Sequence, residues 1–167
     1  MALARSIVFQ QLAGAAAATI WRRVGDVVGD VTPAGVLGVG DDLLRSAGLS
    51  RAKLASLTDL ALAVTDGRLD LGRVARQPDA EVHQDLVGVR GIGPWTADMF
   101  LLFQLRRPDV WPTGDLGVRR GYALVHRLEA DPSPAELLEF GAPYQPWRSV
   151  AAWYMWRAVH TITPERG

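Results

Sequence analysis

The stretch Leu86 to Asp115, LVGVRGIGPWTADMFLLFQLRRPDVWPTGD, decides the fold. Its apolar opening reads as the end of a helix. Gly88-Val89-Arg90-Gly91-Ile92-Gly93 then turns the chain, and Pro94 restarts a helix, since proline suits a first helical turn. Gly91 and Gly93 flank one apolar residue. Glycine allows a positive φ and a close backbone approach. The amides of Gly91, Gly93 and the following helix start would then point outward together, which makes an anion site. Ile92 would plug into the core and fix the hairpin. The same glycine spacing also describes an ordinary helix–turn–helix corner. The stretch ends on a single acid, Asp115, after Pro112-Thr113-Gly114. At a helix start an aspartate is ordinarily an N-cap; it is also a candidate catalyst.

Outward from this stretch the pattern is helical throughout. Val8, Leu12, Ala15, Ala16, Ile20 and Val24 recur at three-to-four spacing and predict one helix from Ala2 to Val24. The small run Gly14 to Ala18 would let another helix approach. Thr32-Pro33 opens a short helix to about Val39, and another follows from Asp41 to Ala47. Ser50 caps the next, whose stripe is Leu54, Leu57, Leu60, Ala61 and Val64, ending at Gly67. Short helices are expected from Asp70 to Arg76 and from Pro78 to the hairpin. Pro94 starts a helix to about Leu105. Asp115 starts one to about Leu128, with Val118, Tyr122 and Val125 inward and Arg119, Arg120 and Arg127 on another face. Ser133-Pro134 opens a helix to Phe140, and Pro146 opens the last, to about His160. No strand pattern with a hairpin turn appears. The class is all-α, in one domain.

The chain has 167 residues, 49% hydrophobic and 22% charged, with formal charge zero. That is globular, and any nucleic-acid contact must come from local patches. Seventeen of the 18 basic residues are Arg, and Lys53 is the only lysine. With no cysteine and 3 His, disulfides, thiolate metal sites and a His-rich metal site are not expected. No signal peptide or membrane-length apolar run appears, so a soluble, cytoplasmic protein without a membrane role is expected.

Gly91-Ile92-Gly93-Pro94-Trp95-Thr96-Ala97, followed by Asp115 within Pro112-Thr113-Gly114-Asp115, resembles the helix–hairpin–helix base-excision DNA glycosylases. The nearest branch is the alkylated-base, 3-methyladenine DNA glycosylase II type. Further blocks resemble the family in the family's order: Ile7-Val8-Phe9-Gln10-Gln11, then Ala47-Gly48-Leu49-Ser50-Arg51-Ala52-Lys53, then Pro146-Trp147-Arg148-Ser149-Val150-Ala151 through Trp156.

The resemblance implies two packed helical subdomains with a cleft between them. The helix–hairpin–helix would lie at about 80–105 and the acid's loop at 108–115. It implies double-stranded DNA carrying a damaged base as the partner, a monomer, and a base flipped out of the stack into a pocket. Asp115 would stabilise the cationic sugar left when the N-glycosidic bond breaks. An N-alkylated purine already carries positive charge, so one acid suffices. Such a base is held best by electron-rich rings. By match, Trp95 and Trp156 line the base pocket, while Trp147 and Trp153 are expected in the core. Relatives that also nick DNA carry a lysine where Trp95 stands, so a monofunctional enzyme is expected. Arg90, Gly91, Gly93, Pro94, Thr96 and Arg148 would meet DNA, and Gln11 or its neighbour Gln10 would fill the gap left by the flipped base. No cofactor is required for catalysis. The carbonyls of Val87, Val89 and Ile92 would hold a structural Na+, K+ or Mg2+.

The chain departs from the branch at two pocket positions. Leu116 stands where an aromatic often follows the acid, and Met99 where a Tyr is common. The helical pattern also begins almost at Met1, without the sheet-containing N-terminal region and leading helix of longer members; part of the helical body would then lack its usual cover. Excision of other damaged purines, or a hairpin module that only binds DNA, are the alternatives.

Overall fold

A computed structural model describes residues 2–162, and every regular element among them is helical. The chain forms two compact units, Met1–Ala97 and Asp98–Gly167.

The first unit contains α1 (Ala2–Phe9), α2 (Gly14–Val28), α3 (Pro33–Gly38), α4 (Asp41–Ser46), α5 (Arg51–Thr65) and α6 (Asp79–Val87), and ends inside α7 (Pro94–Met99). Its organiser is α5, which buries Leu54, Ser56, Leu57, Leu60, Ala61 and Ala63 and packs on α1, α3 and α4. Ser50 caps α5 by accepting from the Lys53 amide at 3.3 Å, and Thr32 caps α3 through the Gly35 amide at 3.1 Å. Ile7, Val8, Val24, Leu57, Val82 and Leu86 are fully buried. Truncating such a leucine to alanine costs about 2–5 kcal/mol.

In the second unit α7 runs on into a π-helical turn, Phe100–Gln104. Then come α8 (Leu116–His126), α9 (Pro134–Phe140), a 3-10 turn at Ala142–Tyr144 and α10 (Arg148–Ile162). Ser133 and Glu136 form a capping box at the start of α9. The unit is built on the packing of α8 against α10, where Gly121 lies directly against the Met155 backbone and leaves no room for a Cβ. Val118, Tyr122, Leu137, Ala152 and Met155 form the core with Trp111, whose indole N–H donates to the Leu137 carbonyl at 2.7 Å.

Several expectations fail for physical reasons. The helix expected from Ala2 to Val24 is two helices, broken at 10–13. In an unbroken helix the Val8 carbonyl would accept from the Leu12 amide. Here it accepts from the Lys53 ammonium instead, as does the Gln10 carbonyl. The break rotates α2, so Ala17 is buried while Leu12, Ala15 and Ala16 are exposed. Gly14 itself brings no neighbour close, since a Cβ on it would meet nothing within 4 Å. Asp70 to Arg76 is a series of turns, because the Asp70 carboxylate accepts from the Gly72 and Arg73 amides and competes with helix growth. The last helix starts at Arg148, not Pro146, after the 3-10 turn. Val125 is 46% exposed, and Trp147 and Trp153 are 61% and 50% exposed, so none of them belongs to the core. Trp111 takes that place. No helix among the described residues is long and apolar enough to cross a membrane.

Candidate active site

Asp115 is buried at the start of α8. Its Oδ1 accepts from the Val118 amide at 2.8 Å, which is the N-cap bond. The same oxygen accepts from the Trp156 indole N–H at 2.8 Å. The α8 cap and the candidate acid are therefore one side chain, with the backbone amide and the indole N–H both donating to the same oxygen. Trp156 reaches it because residue 117 is glycine. A Cβ there would lie 2.8 Å from Trp156 Cδ1 and 3.0 Å from Asp115 Oδ1. From the π-helical turn, Phe103 stacks on the Trp156 ring, with centroids 5.9 Å apart and planes 25° apart. Leu116 is exposed in the first turn of α8, and Met99 is half-buried at the end of α7. Trp156 is thus held between the Asp115 carboxylate and the Phe103 ring.

The hairpin sits on α5. Gly91 has φ +80, and a Cβ on it would collide with the Ser56 hydroxyl, so both backbone and packing require glycine there. Val89 and Ile92 are buried, and the Ile92 amide donates to the Val89 carbonyl at 3.1 Å. The Arg90 amide does not face outward: it donates to Asp59 Oδ2 at 2.8 Å. Arg68 pairs with Asp59 Oδ1 at 3.2 Å. The Arg90 amide first, and then Arg68, hold the Asp59 carboxyl below the usual aspartate range. The Gln10 side-chain amide donates to the Gly91 carbonyl at 3.0 Å and to Thr96 Oγ1 at 3.4 Å. Trp95, at the second position of α7, is 49% exposed. Beside the hairpin runs an open groove of about 1090 Å³, walled also by Asp41, Asp42, Arg45, Arg51, Asp59 and Arg68.

Arg148, expected on DNA, makes a bidentate guanidinium pair with Asp109, at 2.7 and 2.8 Å, and its amide donates to the same carboxylate. That pair anchors the start of α10 to the loop before the acid and holds the Asp109 carboxyl low. Arg119 is likewise occupied, donating to the Pro132 carbonyl at 2.6 Å. Gln10 is bound to the hairpin, whereas Gln11 is exposed with φ 55. Gly117, Phe103, Ser56 and Asp59 carry the geometry and stand outside the expected set. Gly117 and Gly121 had a signal, a four-residue glycine spacing inside a helix. Asp59 had none.

The family signature described as HhH-GPD superfamily base excision DNA repair protein matches residues 4–143. The chain belongs to this family. It is 34% identical to DNA-3-methyladenine glycosylase 1 of Schizosaccharomyces pombe over 93% of this chain and 70% of that protein. A DNA-3-methyladenine glycosylase of Saccharomyces cerevisiae is 38% identical over 72% of this chain, but the match spans only 44% of the yeast protein. Among solved structures, a DNA-3-methyladenine glycosidase from Bacillus halodurans superposes with TM-score 0.90 and 35% identity over 98% of this chain and 76% of that one. The S. pombe 3-methyladenine DNA glycosylase solved with abasic DNA gives TM-score 0.79 and 33% identity, covering 94% of this chain and 78% of that one. The all-helical HhH-GPD fold follows from these matches.

Proposed function

We propose that this HhH-GPD protein is a monofunctional DNA glycosylase that releases alkylated bases, of the 3-methyladenine and 7-methylguanine type, from duplex DNA. The observation that carries the reading is Asp115, buried and oriented by the Val118 amide and the Trp156 indole on one oxygen. The relatives named for 3-methyladenine support the substrate class. Because the chain spans 44% of the S. cerevisiae relative, the activity of the whole protein is part of the proposal.

In this reading the flipped, positively charged base stacks on Trp95, half of whose surface is open. The glycosidic bond breaks with its electron pair leaving on the base, which neutralises the base. The deoxyribose carbon becomes cationic, and the Asp115 carboxylate stabilises it. Water adds its oxygen to that carbon and gives up a proton, so the products are the free base and an abasic site. Schiff-base chemistry finds no lysine at Trp95, and the one lysine, Lys53, holds its ammonium on the carbonyls of Val8 and Gln10. The amides of Gly91 and Gly93, with the Arg90 guanidinium, grip backbone phosphate without reading sequence. Gln11 fills the gap left by the base, since Gln10 is committed to the hairpin. The carbonyls of Val87, Val89 and Ile92 suit a hard structural cation: they are neutral oxygen donors at a helix end, and the Val89 oxygen keeps a lone pair beyond its bond to the Ile92 amide. That ion would supply charge at the phosphate grip.

The test is base release from alkylated duplex DNA by wild type and Asp115→Asn. Wild type is expected to release 3-methyladenine and 7-methylguanine, and Asp115→Asn to lose at least about a hundredfold in rate, the scale of removing one charge-stabilising group. Equal rates in the two proteins remove Asp115 from the mechanism. Strand cleavage without added base or abasic endonuclease removes the monofunctional reading.

A further inference from the structure

The break between α1 and α2 is not an economical one. Residues 2–24 carry an uninterrupted helical pattern, rich in alanine, and the alternative to breaking was simply to continue. Instead the chain turns at Gln11 with φ 55, a left-handed backbone that L residues adopt at a cost. Neither glycine nor asparagine, the residues suited to that conformation, stands there. A conformation of this kind persists only where its surroundings over-determine it, and such positions collect at functional sites. The surroundings here are explicit. Lys53, from the first turn of α5, lays its ammonium on two carbonyls at the end of α1, at 2.5 Å from Val8 and 2.6 Å from Gln10. Burial lowers the Lys53 pKa, and the two carbonyl dipoles are the partners the desolvated ammonium keeps. Gln10 then reaches across to the Gly91 carbonyl and Thr96 hydroxyl. What protrudes is Gln11-Leu12-Ala13, all exposed.

We propose that Lys53 is a positioning residue which, through its clamp on Val8 and Gln10 and the Gln10 bridge to Gly91, holds the Gln11 corner and the glycine hairpin as one DNA-facing edge. The grip on phosphate and the side chain presented to the duplex are then set at a fixed spacing by a residue that touches neither. Lys53 is the only lysine, and its flexible stem with three donors can serve two carbonyls that diverge at a helix end, a geometry for which the planar arginine fork is less suited.

The inference rests on the DNA-repair reading for its choice of ligand, and the experiment separates the two. Two duplexes of one sequence serve as probes. One is undamaged; the other carries a tetrahydrofuran abasic analogue opposite 2-aminopurine, whose fluorescence reports insertion beside it. Wild type is expected to prefer the abasic duplex and to change its fluorescence. Lys53→Met is expected to bind undamaged duplex within about twofold of wild type, because the hairpin remains, yet to lose at least tenfold in abasic preference together with the fluorescence change. Lys53→Arg, which keeps the charge and donors, should recover part of both. Gln11→Gly covers the case in which Lys53→Met fails to fold. It relieves the left-handed backbone, so its melting temperature should equal or exceed that of wild type while the abasic preference is lost. Equal loss on both duplexes in Lys53→Met, no loss on either, or an intact preference in Gln11→Gly overturns the inference. A wild type that prefers abasic DNA but releases no alkylated base removes the glycosylase reading and leaves this one standing.

Discussion

At the scale of single residues the candidate site depends on an atom that is missing. Gly117 lies in α8, where alanine would be favoured by about 1 kcal/mol on helix propensity alone. Its Cβ, however, would press on Trp156 and on Asp115 Oδ1. Such overpacking costs about 1–3 kcal/mol. Gly117→Ala should therefore fold with little net change in melting temperature, while excision falls at least about tenfold because the indole leaves the carboxylate, a bond worth about 1.5–3 kcal/mol. Trp156→Phe removes the donor and keeps a ring for Phe103; the same rate loss is expected with affinity for abasic product unchanged. Gly25 is the control. A Cβ there meets nothing within 4 Å in the last turn of α2, so Gly25→Ala should raise stability by about 0.5–1 kcal/mol without touching excision. A Gly117→Ala protein as active as wild type would falsify the clearance role.

At the scale of elements, the hairpin is held more by its neighbours than by its own turn. Asp59 on α5 takes the Arg90 amide, and Ser56 one turn before it receives Gly91. Because the Asp59 carboxyl is lowered in the folded state, its contribution is complete above the usual aspartate value of about 3.9 and is lost as pH falls through its lowered native value. Asp109, lowered by Arg148 at the start of α10, has the same sign. Denaturation followed across pH 2–6 should show stability falling below about pH 4, and Asp59→Ala should flatten that fall while costing about 1–2 kcal/mol at neutral pH. An acid limb unchanged in Asp59→Ala would assign it to other groups. This layer of the structure was the least legible beforehand. Helices opened by Thr32, Ser50 and Ser133 were readable, because each cap is a local bond between neighbours in sequence. The hairpin was readable from its glycines, and the Asp115 cap from its place after Thr113-Gly114. The break in the first helix was not, because the competitor for its carbonyls is Lys53, some forty positions away. Nor was the exposure of Trp147 and Trp153, since helical spacing describes a stripe and not which side of it is covered.

At the scale of the whole molecule, charge decides how DNA would be held. The 18 basic and 18 acidic residues cancel, so no general field draws a polyanion to the surface. Several arginines are also spent internally: Arg148 on Asp109, Arg68 on Asp59 and Asp66, and Arg119 on the Pro132 carbonyl. Arg45, Arg51 and Arg90 line the groove beside the hairpin and form no ion pair among the described residues. If those three neutralise about three phosphates, log affinity for undamaged duplex should fall with log salt at a slope near −2.7, or roughly 40-fold between 50 and 200 mM. Replacing Arg51 with Gln should reduce that slope by about one phosphate equivalent and weaken all sequences alike, whereas replacing Arg148 with Gln should leave the slope unchanged and lower stability through the loss of its pair with Asp109. Titrations of undamaged duplex at several salt concentrations decide the matter. A slope steeper than about −6 would mean that the protein engages DNA through many more cations than the groove provides, and the local-patch account of a neutral DNA-binding chain would have to be given up.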